Sequence, residues 1–333
     1  MSFIAINPTN NVGSRFVADV GGTNIRLALV QNGRIATIKK YLCKDFEHID
    51  DAILHFQNDI NHSAFQAGCI AIACPINDDL VKMTNHTWEF STSALKSHLA
   101  LEHLYVINDF TAVAHSLPNL NHNQLIQIGG GSAKENGNIA VFGPGTGLGV
   151  EHLTWANSAW HTLDGEGGHV DFAPTEDDDL IIWRYLMKKF GRASAEEVLS
   201  GRGIVNIYSA FCQDQGVQVT LTEPSQITSA GLNNSDPMAR KTIDQFCKVM
   251  GSFAGNIALN LCTTGGVFIG GGVTSKLQDY FIQSSFRQKF EAKGDFAHYV
   301  KAIPTYLINE PDHGLLGALA YLQQQTQRIQ DDE

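Results

Sequence analysis

Three glycine-rich turns in this sequence each follow a short apolar run. They span residues 21–22, 143–149 and 270–272. Glycine lets backbone amides approach a phosphate closely and tolerates positive φ, so such turns suit a nucleotide. None has the GxxxxGK[ST] spacing of a Walker A loop, and the first two open into strands, unlike a dinucleotide fingerprint. One such turn alone is more often structural, but three of them, with Thr23 and Thr146 in the first two, favour phosphate binding.

The phosphate turns contain no lysine. If these turns hold ATP phosphates, the phosphate charge must be balanced by Mg²⁺, which prefers oxygen ligands and keeps much of its water shell. Asp19, just before the first turn, is the carboxylate that would organise that shell.

A second group of residues is polar without being cationic. Asn108 and Asp109 follow a predicted buried strand, and Glu166 and His169 lie on the glycine-rich segment 165–169. Amides, carboxylates and an imidazole suit the neutral hydroxyls of a polyol. Structural roles remain open: Asp109 could cap a helix at Phe110, and His169 could be a satisfied structural histidine. From residue type alone, Glu196 is predicted to be an acid in the first turn of a helix.

Composition excludes several classes of protein. The 333 residues carry a net charge of −11 with no Lys/Arg cluster, which argues against nucleic-acid binding. No apolar run approaches the roughly 20 residues of a membrane span, and the first fifteen residues lack a signal-peptide pattern. The six cysteines include no CxxC pair and are expected to be buried free thiols. These features predict a cytoplasmic enzyme.

The elements that must position these residues alternate between strand and helix, which predicts an α/β protein of two domains. Strands 16–20 and 25–30 should form a hairpin around the first turn, and strands 139–142 and 148–153 repeat that pattern around the second. The other predicted strands are 67–76, 104–107, 265–269 and 306–308. The predicted helices are 45–60, 314–325 and a long one from Pro237 to near Cys262.

Seven segments resemble the bacterial glucokinase family, within the actin-like, hexokinase-type ATPase superfamily. In chain order they are DVGGTN (19–24), CIAIACP (69–75), MTNHTW (83–88), INDFTA (107–112), GPGTGLG (143–149), GEGGHVDFAP (165–174) and VLSG (198–201). The first occurs across the superfamily, whereas the tryptophan and GEGGHVDFAP segments are far more specific. The cysteine-rich motif of the related zinc-containing sugar kinases is absent.

The resemblance implies an actin-like, ribonuclease H-like α/β fold with an active-site cleft between two domains, in a homodimer. The small domain would comprise residues 1–119 with the C-terminal helix 312–333, and the large domain residues 120–311. The nucleotide-binding positions are Ala18, Asp19, Val20, Gly21, Gly22, Thr23, Gly145, Thr146, Gly147 and Gly271. Pro144 departs from the small residue usual in its turn and removes one amide donor.

The resemblance further implies that Asn108, Asp109, Glu166, His169 and Glu196 contact D-glucose, which replaces the helix-acid interpretation of Glu196. Asp109 matches the catalytic base that accepts the proton of the 6-hydroxyl, with Mg-ATP as phosphoryl donor. Three alternatives remain: a kinase for another hexose such as mannose or fructose, a non-catalytic sugar-sensing protein, and an actin-like filament protein. The sensing interpretation needs an added DNA-binding module, and the filament interpretation leaves the polar set without a purpose.

Overall fold

The computed structural model describes residues 14–83 and 86–332. Residues 1–13, Thr84 and Asn85 of the tryptophan segment, and Glu333 lie outside the described residues. Residues up to Leu120 and from Pro311 onward form one unit, and residues 121–310 form the second.

The strands follow one another from the first described residues to shortly before the C-terminal helix. In chain order they are β1 (Arg15–Val20), β2 (Asn24–Gln31), β3 (Arg34–Leu42), β4 (Ala67–Ile72), β5 (Leu80–Lys82), β6 (Glu89–Ser91), β7 (His103–Asn108), β8 (Leu125–Ile128), β9 (Ile139–Pro144), β10 (Leu148–Ala156), β11 (Ala159–Thr162), β12 (Gly266–Ile269) and β13 (Thr305–Ile308).

Helices connect or cover these strands. The α-helices are α1 (Ile49–Asp59), α2 (Thr92–His98), α3 (Asp109–Ser116), α4 (Asp177–Phe190), α5 (Gly201–Asp214), α6 (Pro224–Leu232), α7 (Pro237–Leu261), α8 (Gly272–Lys276), α9 (Gln278–Gln283), α10 (Phe286–Glu291), α11 (Ala297–Lys301) and α12 (His313–Asp332). Short 3₁₀ turns occur at Cys43–Asp45, Leu117–Asn119, His122–Gln124, Gly167–His169 and Gly294–Phe296.

The main sheet of the first unit has the strand order β3-β2-β1-β4-β7. β1 to β3 are antiparallel, while β4 and β7 run parallel to β1. The predicted hairpin is confirmed, with Val20 paired to Ile25 and Asp19 to Arg26. Both faces of β1 are covered, which explains why the consecutive residues 16–18 are all apolar. Phe16, Ala18 and Val20 pack on the α1 side, and Val17 packs on the side of α3 and α12.

The sheet of the second unit has the order β11-β10-β9-β12-β13-β8. Again an antiparallel hairpin, β9 with β10, is extended by a parallel strand, β12, on the β9 side. The repeat predicted from the two glycine turns is thus confirmed at the level of topology. The largest core cluster forms where α5, α6, α7 and α10 pack together with this sheet. Asp236 caps α7 through Ala239 N–H at 2.9 Å, and Pro237 is the first helical residue, as the sequence predicts.

Several predicted boundaries are wrong, including that of the last helix, which was predicted to end at 325 and ends at Asp332. Two others have a local cause. The helix predicted over 45–60 begins only at Ile49, because His48 and Asp51 form its capping box. The strand predicted over 67–76 ends at Ile72, where the Cys74 amide turns back to the Ile72 carbonyl at 2.8 Å.

The cysteines are all free, and five of the six are buried. Cys262 is the exception: it is exposed, at φ 51° at the C-terminal end of α7, so the expectation of burial is wrong there. Burial and the nearby charge of Asp109 raise the pKa of the Cys74 thiol to about 11, which fits a packing role. None of the described helices combines the length and apolar character needed to cross a bilayer.

Candidate active site

The first glycine turn joins β1 to β2 in the first unit. Gly21 N–H closes the hairpin on Asn24 O at 2.9 Å, and Thr23 O accepts from Cys43 N–H at 2.9 Å. Within the described residues, the amides of Gly22 and Thr23 donate no hydrogen bond, so both are available to a phosphate. The side chains of Ala18 and Val20 are fully buried in the core, so only their backbone could face a ligand.

Asp19 points to the opposite face of β1 from Ala18 and Val20. Its Oδ2 lies 3.6 Å from Arg26 Nη1 across the hairpin. The start of α12 also approaches it, because a Cβ at Gly314 would lie 3.0 Å from Asp19 Cγ. Burial raises the pKa of Asp19, while Arg26 and His313 partly oppose that rise. A partly desolvated carboxylate beside free loop amides suits a magnesium–phosphate group.

Asn108 and Asp109 lie where β7 ends and α3 begins. Asn108 Oδ1 caps α3 by accepting from Phe110 N–H at 2.8 Å, and its Nδ2 donates to Cys74 O at 3.1 Å. Asn108 is thus the N-cap residue of α3, and Asp109 is the first helical residue, which shares the same amide donor. Asp109 Oδ1 accepts from Phe110 N–H at 3.0 Å. Burial, followed by the charge of Asp19, raises the pKa of Asp109 to about 6.

The second glycine turn joins β9 to β10 in the second unit. Gly145 N–H donates within the turn to Gly147 O at 2.8 Å, so that amide is occupied. Among the described residues, the amides of Thr146 and Gly147 have no acceptor. Pro144 is the last residue of β9, paired with Leu148, and its missing N–H falls at the strand end rather than at the tip of the turn. The tip therefore keeps two donors despite the proline.

Gly271 follows β12 and lies against the end of β9. Its φ is +89°, and a Cβ there would lie 2.4 Å from Pro144 O. Glycine is therefore required by backbone conformation and by close approach to the second phosphate turn. This packing accounts for the residue without a ligand, and nucleotide binding at this position stays a prediction.

Glu166 precedes a 3₁₀ turn and His169 is its last residue, and both side chains are exposed. The turn closes with His169 N–H on Glu166 O at 3.0 Å. Gly168 is buried beneath it, and a Cβ there would lie 2.1 Å from Leu148 O. Arg192 supports the segment from outside by donating to the His169 carbonyl at 2.7 Å. The loop is thus fixed directly against the first residue of β10.

Glu196 lies in a non-helical segment before α5, so its interpretation as a first-turn helix acid is wrong. Ser200 caps α5 instead, accepting from Gly203 N–H at 3.1 Å. The Glu196 backbone N–H donates to Gly168 O at 2.9 Å, and Oε2 accepts from Leu148 N–H at 2.8 Å. Glu196 therefore contacts both the 165–169 loop and the second phosphate turn.

A partly open cavity of about 350 Å³ also lies in the second unit, behind the 165–169 loop. Its lining is mostly apolar and includes Gly167, Phe172, Leu199 and Phe253. Glu166, His169 and Glu196 do not line it. The cavity is therefore separate from the predicted sugar contacts of this unit.

Three arginines at the site were missed by the sequence analysis. Arg26 pairs with Asp19, Arg192 supports the His169 carbonyl, and Arg202 contacts Glu196 and Glu197. The sequence could have identified Arg26, because the short turn places it opposite Asp19 in the hairpin register. It could not have identified the contacts of Arg192 and Arg202, since residues 191–200 have no periodic pattern that would predict their neighbours.

Replacement of Gly168 by alanine tests the rigidity of the 165–169 loop. The new Cβ would meet backbone at Leu148, which cannot yield as a side chain can, so we expect a loss of about 1–3 kcal/mol in stability and weaker glucose binding. Gly165→Ala is the matched control, because nothing lies within 4 Å of its Cβ position. Thermal melting and calorimetry would check both variants. An unchanged melting temperature for Gly168→Ala would contradict this account of the packing.

Comparison with known proteins gives one consistent family. A family profile described as Glucokinase matches residues 16–325. The glucokinase of Erwinia tasmaniensis is 45% identical over 319 residues, covering 94% of this chain and 98% of the relative. The crystal structure of glucokinase from an Antarctic psychrotroph superposes with a TM-score of 0.87 at 34% identity, covering 94% of this chain and 99% of that one.

A more distant structure shares the fold alone. It is a ROK family glucokinase from Streptomyces griseus in complex with glucose and AMPPNP, with a TM-score of 0.63 at 19% identity. It covers 94% of this chain, and all of that chain is matched. The profile and the Erwinia relative each extend over more than nine-tenths of the sequence. The chain therefore belongs to the glucokinase family.

Proposed function

We propose that this chain transfers the γ-phosphoryl group of Mg-ATP to the 6-hydroxyl of D-glucose, with Asp109 as general base. As a glucokinase-family member it is an ATP-dependent glucose phosphotransferase. The observation that carries the mechanism is the environment of Asp109. Its carboxylate is desolvated at the start of α3, and its pKa of about 6 lies near neutral pH, where a general base is most effective.

Asp109 takes the proton of the 6-hydroxyl as that oxygen attacks the γ-phosphorus. The bond from the γ-phosphorus to the bridging oxygen of ADP breaks, and the proton later passes from Asp109 to solvent. Phosphoryl transfer needs little covalent help, so positioning and charge stabilisation supply most of the rate. Asn108 has one donor hydrogen and one acceptor lone pair beyond its cap and its Cys74 contact, which it can offer to the sugar.

The remaining sugar contacts come from the second unit. Glu166 and His169 are exposed on the fixed 165–169 loop, and Glu196 is tied to that loop through its backbone. These three residues, with Asn108, hold the hydroxyls of glucose. We propose that the units carry an actin-like, ribonuclease H-like fold whose cleft receives the sugar, and that the protein works as a homodimer in the cytoplasm.

Mg²⁺ fits the residues present. Among the described residues, no three His, Cys, Asp or Glu side chains are grouped closely enough to bind a metal on their own. The hard oxygen donor of Asp19, close to the free amides of the first turn, suits an ion that arrives with ATP phosphates and keeps its water. When bound, Mg²⁺ would neutralise the charge that develops on the phosphates. Gly22, Thr23, Thr146 and Gly147 supply amide donors.

Sugar choice is tested by coupled detection of ADP release with a panel of hexoses. We expect glucose to exceed mannose and fructose by about tenfold or more in kcat/KM, because the site's polar groups are placed for one hydroxyl pattern. N-acetylglucosamine should not be phosphorylated, since the 165–169 loop is braced from beneath and should crowd the 2-position. Turnover of N-acetylglucosamine equal to that of glucose would contradict this placement. No ADP release with any hexose would support the sugar-sensing alternative.

A further inference from the structure

Glu196 lies at the junction of two functional segments of the second unit. Through its backbone N–H it donates to Gly168 O, beneath the loop that carries Glu166 and His169. Through Oε2 it accepts from Leu148 N–H, where the second phosphate turn becomes β10. The contact is close, because Gly147 leaves no room for a Cβ beside that oxygen. If the Glu196 carboxylate moves toward a bound sugar, its hydrogen bond with Leu148 N–H, at the end of the phosphate turn, must therefore change as well.

A second hydrogen bond joins the residues after Glu196 to the same phosphate turn. Gly201 N–H, at the first residue of α5, donates to Gly145 O in the turn at 2.8 Å. Between these contacts, Ser200 Oγ donates to the Glu196 carbonyl at 2.7 Å and caps α5. The segment from Glu196 to Gly201 thus connects the phosphate turn to the start of a helix that packs in the main core. This connection is short, and hydrogen bonds hold both of its ends.

Arg202 holds the carboxylate of Glu196 in this arrangement. One guanidinium nitrogen donates to Glu196 Oε1, and Nε lies 3.0 Å from Glu197 Oε1. Glu197 is itself fixed, because its Oε2 accepts from Asn206 Nδ2 at 3.0 Å. Arg202 is half exposed, whereas the Glu196 side chain is only 12% exposed. A planar guanidinium can grip two carboxylates at once in a set geometry, which an ammonium does poorly.

We infer that Arg202 is a positioning residue that fixes Glu196 between the sugar loop and the second phosphate turn, so that glucose and nucleotide bind cooperatively. This inference rests on the proposed function, in which Glu196 contacts glucose. Without Arg202, two adjacent carboxylates lose their shared counter-charge and Glu196 loses its orientation. Both the sugar contact and the link to Leu148 should weaken together. A merely structural arginine would not couple two ligands.

The test uses four full-length variants: Arg202→Gln, Arg202→Lys, Glu196→Gln and Arg240→Gln. The last is the matched control, because Arg240 also pairs with a carboxylate, Asp244 at 3.5 Å, on the surface of α7. Calorimetry would give the Kd of glucose, and the Kd of Mg-AMPPNP with and without saturating glucose. The ratio of the two nucleotide constants measures the coupling.

For Arg202→Gln we expect the glucose Kd to rise about tenfold, as for a lost charged hydrogen bond, with the coupling ratio moving toward one. The lysine variant should recover only part of the affinity, and the Arg240 control should match the wild type. Wild-type glucose affinity and coupling in Arg202→Gln would overturn the inference. So would full recovery by lysine, or an equal loss in the Arg240 control.

The Glu196→Gln variant separates the inference from the function on which it rests. If it weakens glucose binding while Arg202→Gln does not, only the role of Arg202 fails. If Glu196→Gln binds glucose normally, the assignment of Glu196 as a sugar contact fails, and the inference fails with it. Thermal melting of each variant excludes general destabilisation, which would lower both affinities without changing their ratio.

Discussion

The Asp109→Asn variant is expected to bind glucose and fold normally but to lose most of its turnover. Asparagine keeps the side-chain shape and can still accept from Phe110 N–H through Oδ1, as Asp109 does at 3.0 Å. It cannot take the proton of the 6-hydroxyl. General-base catalysis contributes about 10²–10⁴-fold, or about 3–5 kcal/mol of barrier, so kcat should fall within that range. The glucose Kd should change much less, because a proton acceptor acts mainly on the transition state.

The pH dependence of kcat/KM in the wild type should also show that Asp109 acts as a base. Asp109 has a pKa of about 6, raised by burial and then by Asp19, and opposed by the hydrogen bonds of Phe110 N–H and Asn108. As the pH falls below about 6 the base becomes protonated, so kcat/KM for glucose should drop tenfold per pH unit. In Asp109→Asn this acidic limb should disappear from the residual rate. An unchanged limb would assign it to another group.

Stability should move in the opposite direction from activity. Because the pKa of Asp109 is raised in the folded state, folding favours its protonated form, and that advantage is complete only below the unfolded pKa of about 4. It is lost as the pH rises to about 6, so above pH 6 the ionised carboxylate lowers the stability of the wild type. Asp109→Asn should therefore melt at a higher temperature at pH 8, and the difference should shrink between pH 6 and 4.

Near-normal turnover by the folded Asp109→Asn variant would contradict the role of Asp109 as the general base.

The parts of the fold that local sequence could predict are those with a local cause. The hairpin around residues 21–23 follows from turn residues between two apolar strands, and its register also places Arg26 opposite Asp19. Asp236 and Pro237 mark the start of α7 because cap and first-turn preferences act within a few residues. The shared topology of the two sheets was visible as two similar glycine turns.

Other features depend on contacts distant in sequence. In α12, Leu315, Ala318, Leu319 and Leu322 form a buried stripe, but nothing in that stripe names its partners. Those partners include Val17 and Ala112, some two to three hundred residues earlier. Glu196 is similar, because its partners Leu148 and Gly168 lie in other loops. Helix preference alone therefore assigned it to the wrong kind of segment.

The sequence left the roles of the candidate residues undecided, because those roles also depend on contacts that only the folded structure shows. Residue type left Asp109 as either cap or base, and the choice depends on which side chain reaches Phe110 N–H at the better position. Asn108 occupies the cap position of α3, with its Nδ2 held by Cys74 O. The capping assignment requires backbone coordinates. The desolvation that raises the pKa of Asp109 likewise depends on neighbours such as Asp19, on another strand.

Removal of Mg²⁺ should also have a large effect on turnover. With no lysine in the phosphate turns, the charge of ATP is balanced chiefly by Mg²⁺, so excess EDTA should abolish turnover and added Mg²⁺ should restore it. Asp19→Asn should lower kcat/KM for Mg-ATP by on the order of 10²-fold, because it removes the carboxylate that orders the ion's water shell. Asparagine preserves the side-chain volume beside Gly314, where space is tight.

The control for Asp19 must separate metal binding from the pairing with Arg26. Asp312→Asn serves that purpose, because Asp312 Oδ1 also lies 3.5 Å from Arg26 Nη1, and Asp312 is outside the phosphate turns. If Asp19 serves the ion, its variant alone should require more Mg²⁺ and bind Mg-AMPPNP weakly, while calorimetry shows a glucose Kd within about threefold of the wild type. Equal losses in the two variants would instead make Asp19 a partner of Arg26. Full turnover in excess EDTA would remove the metal from the mechanism.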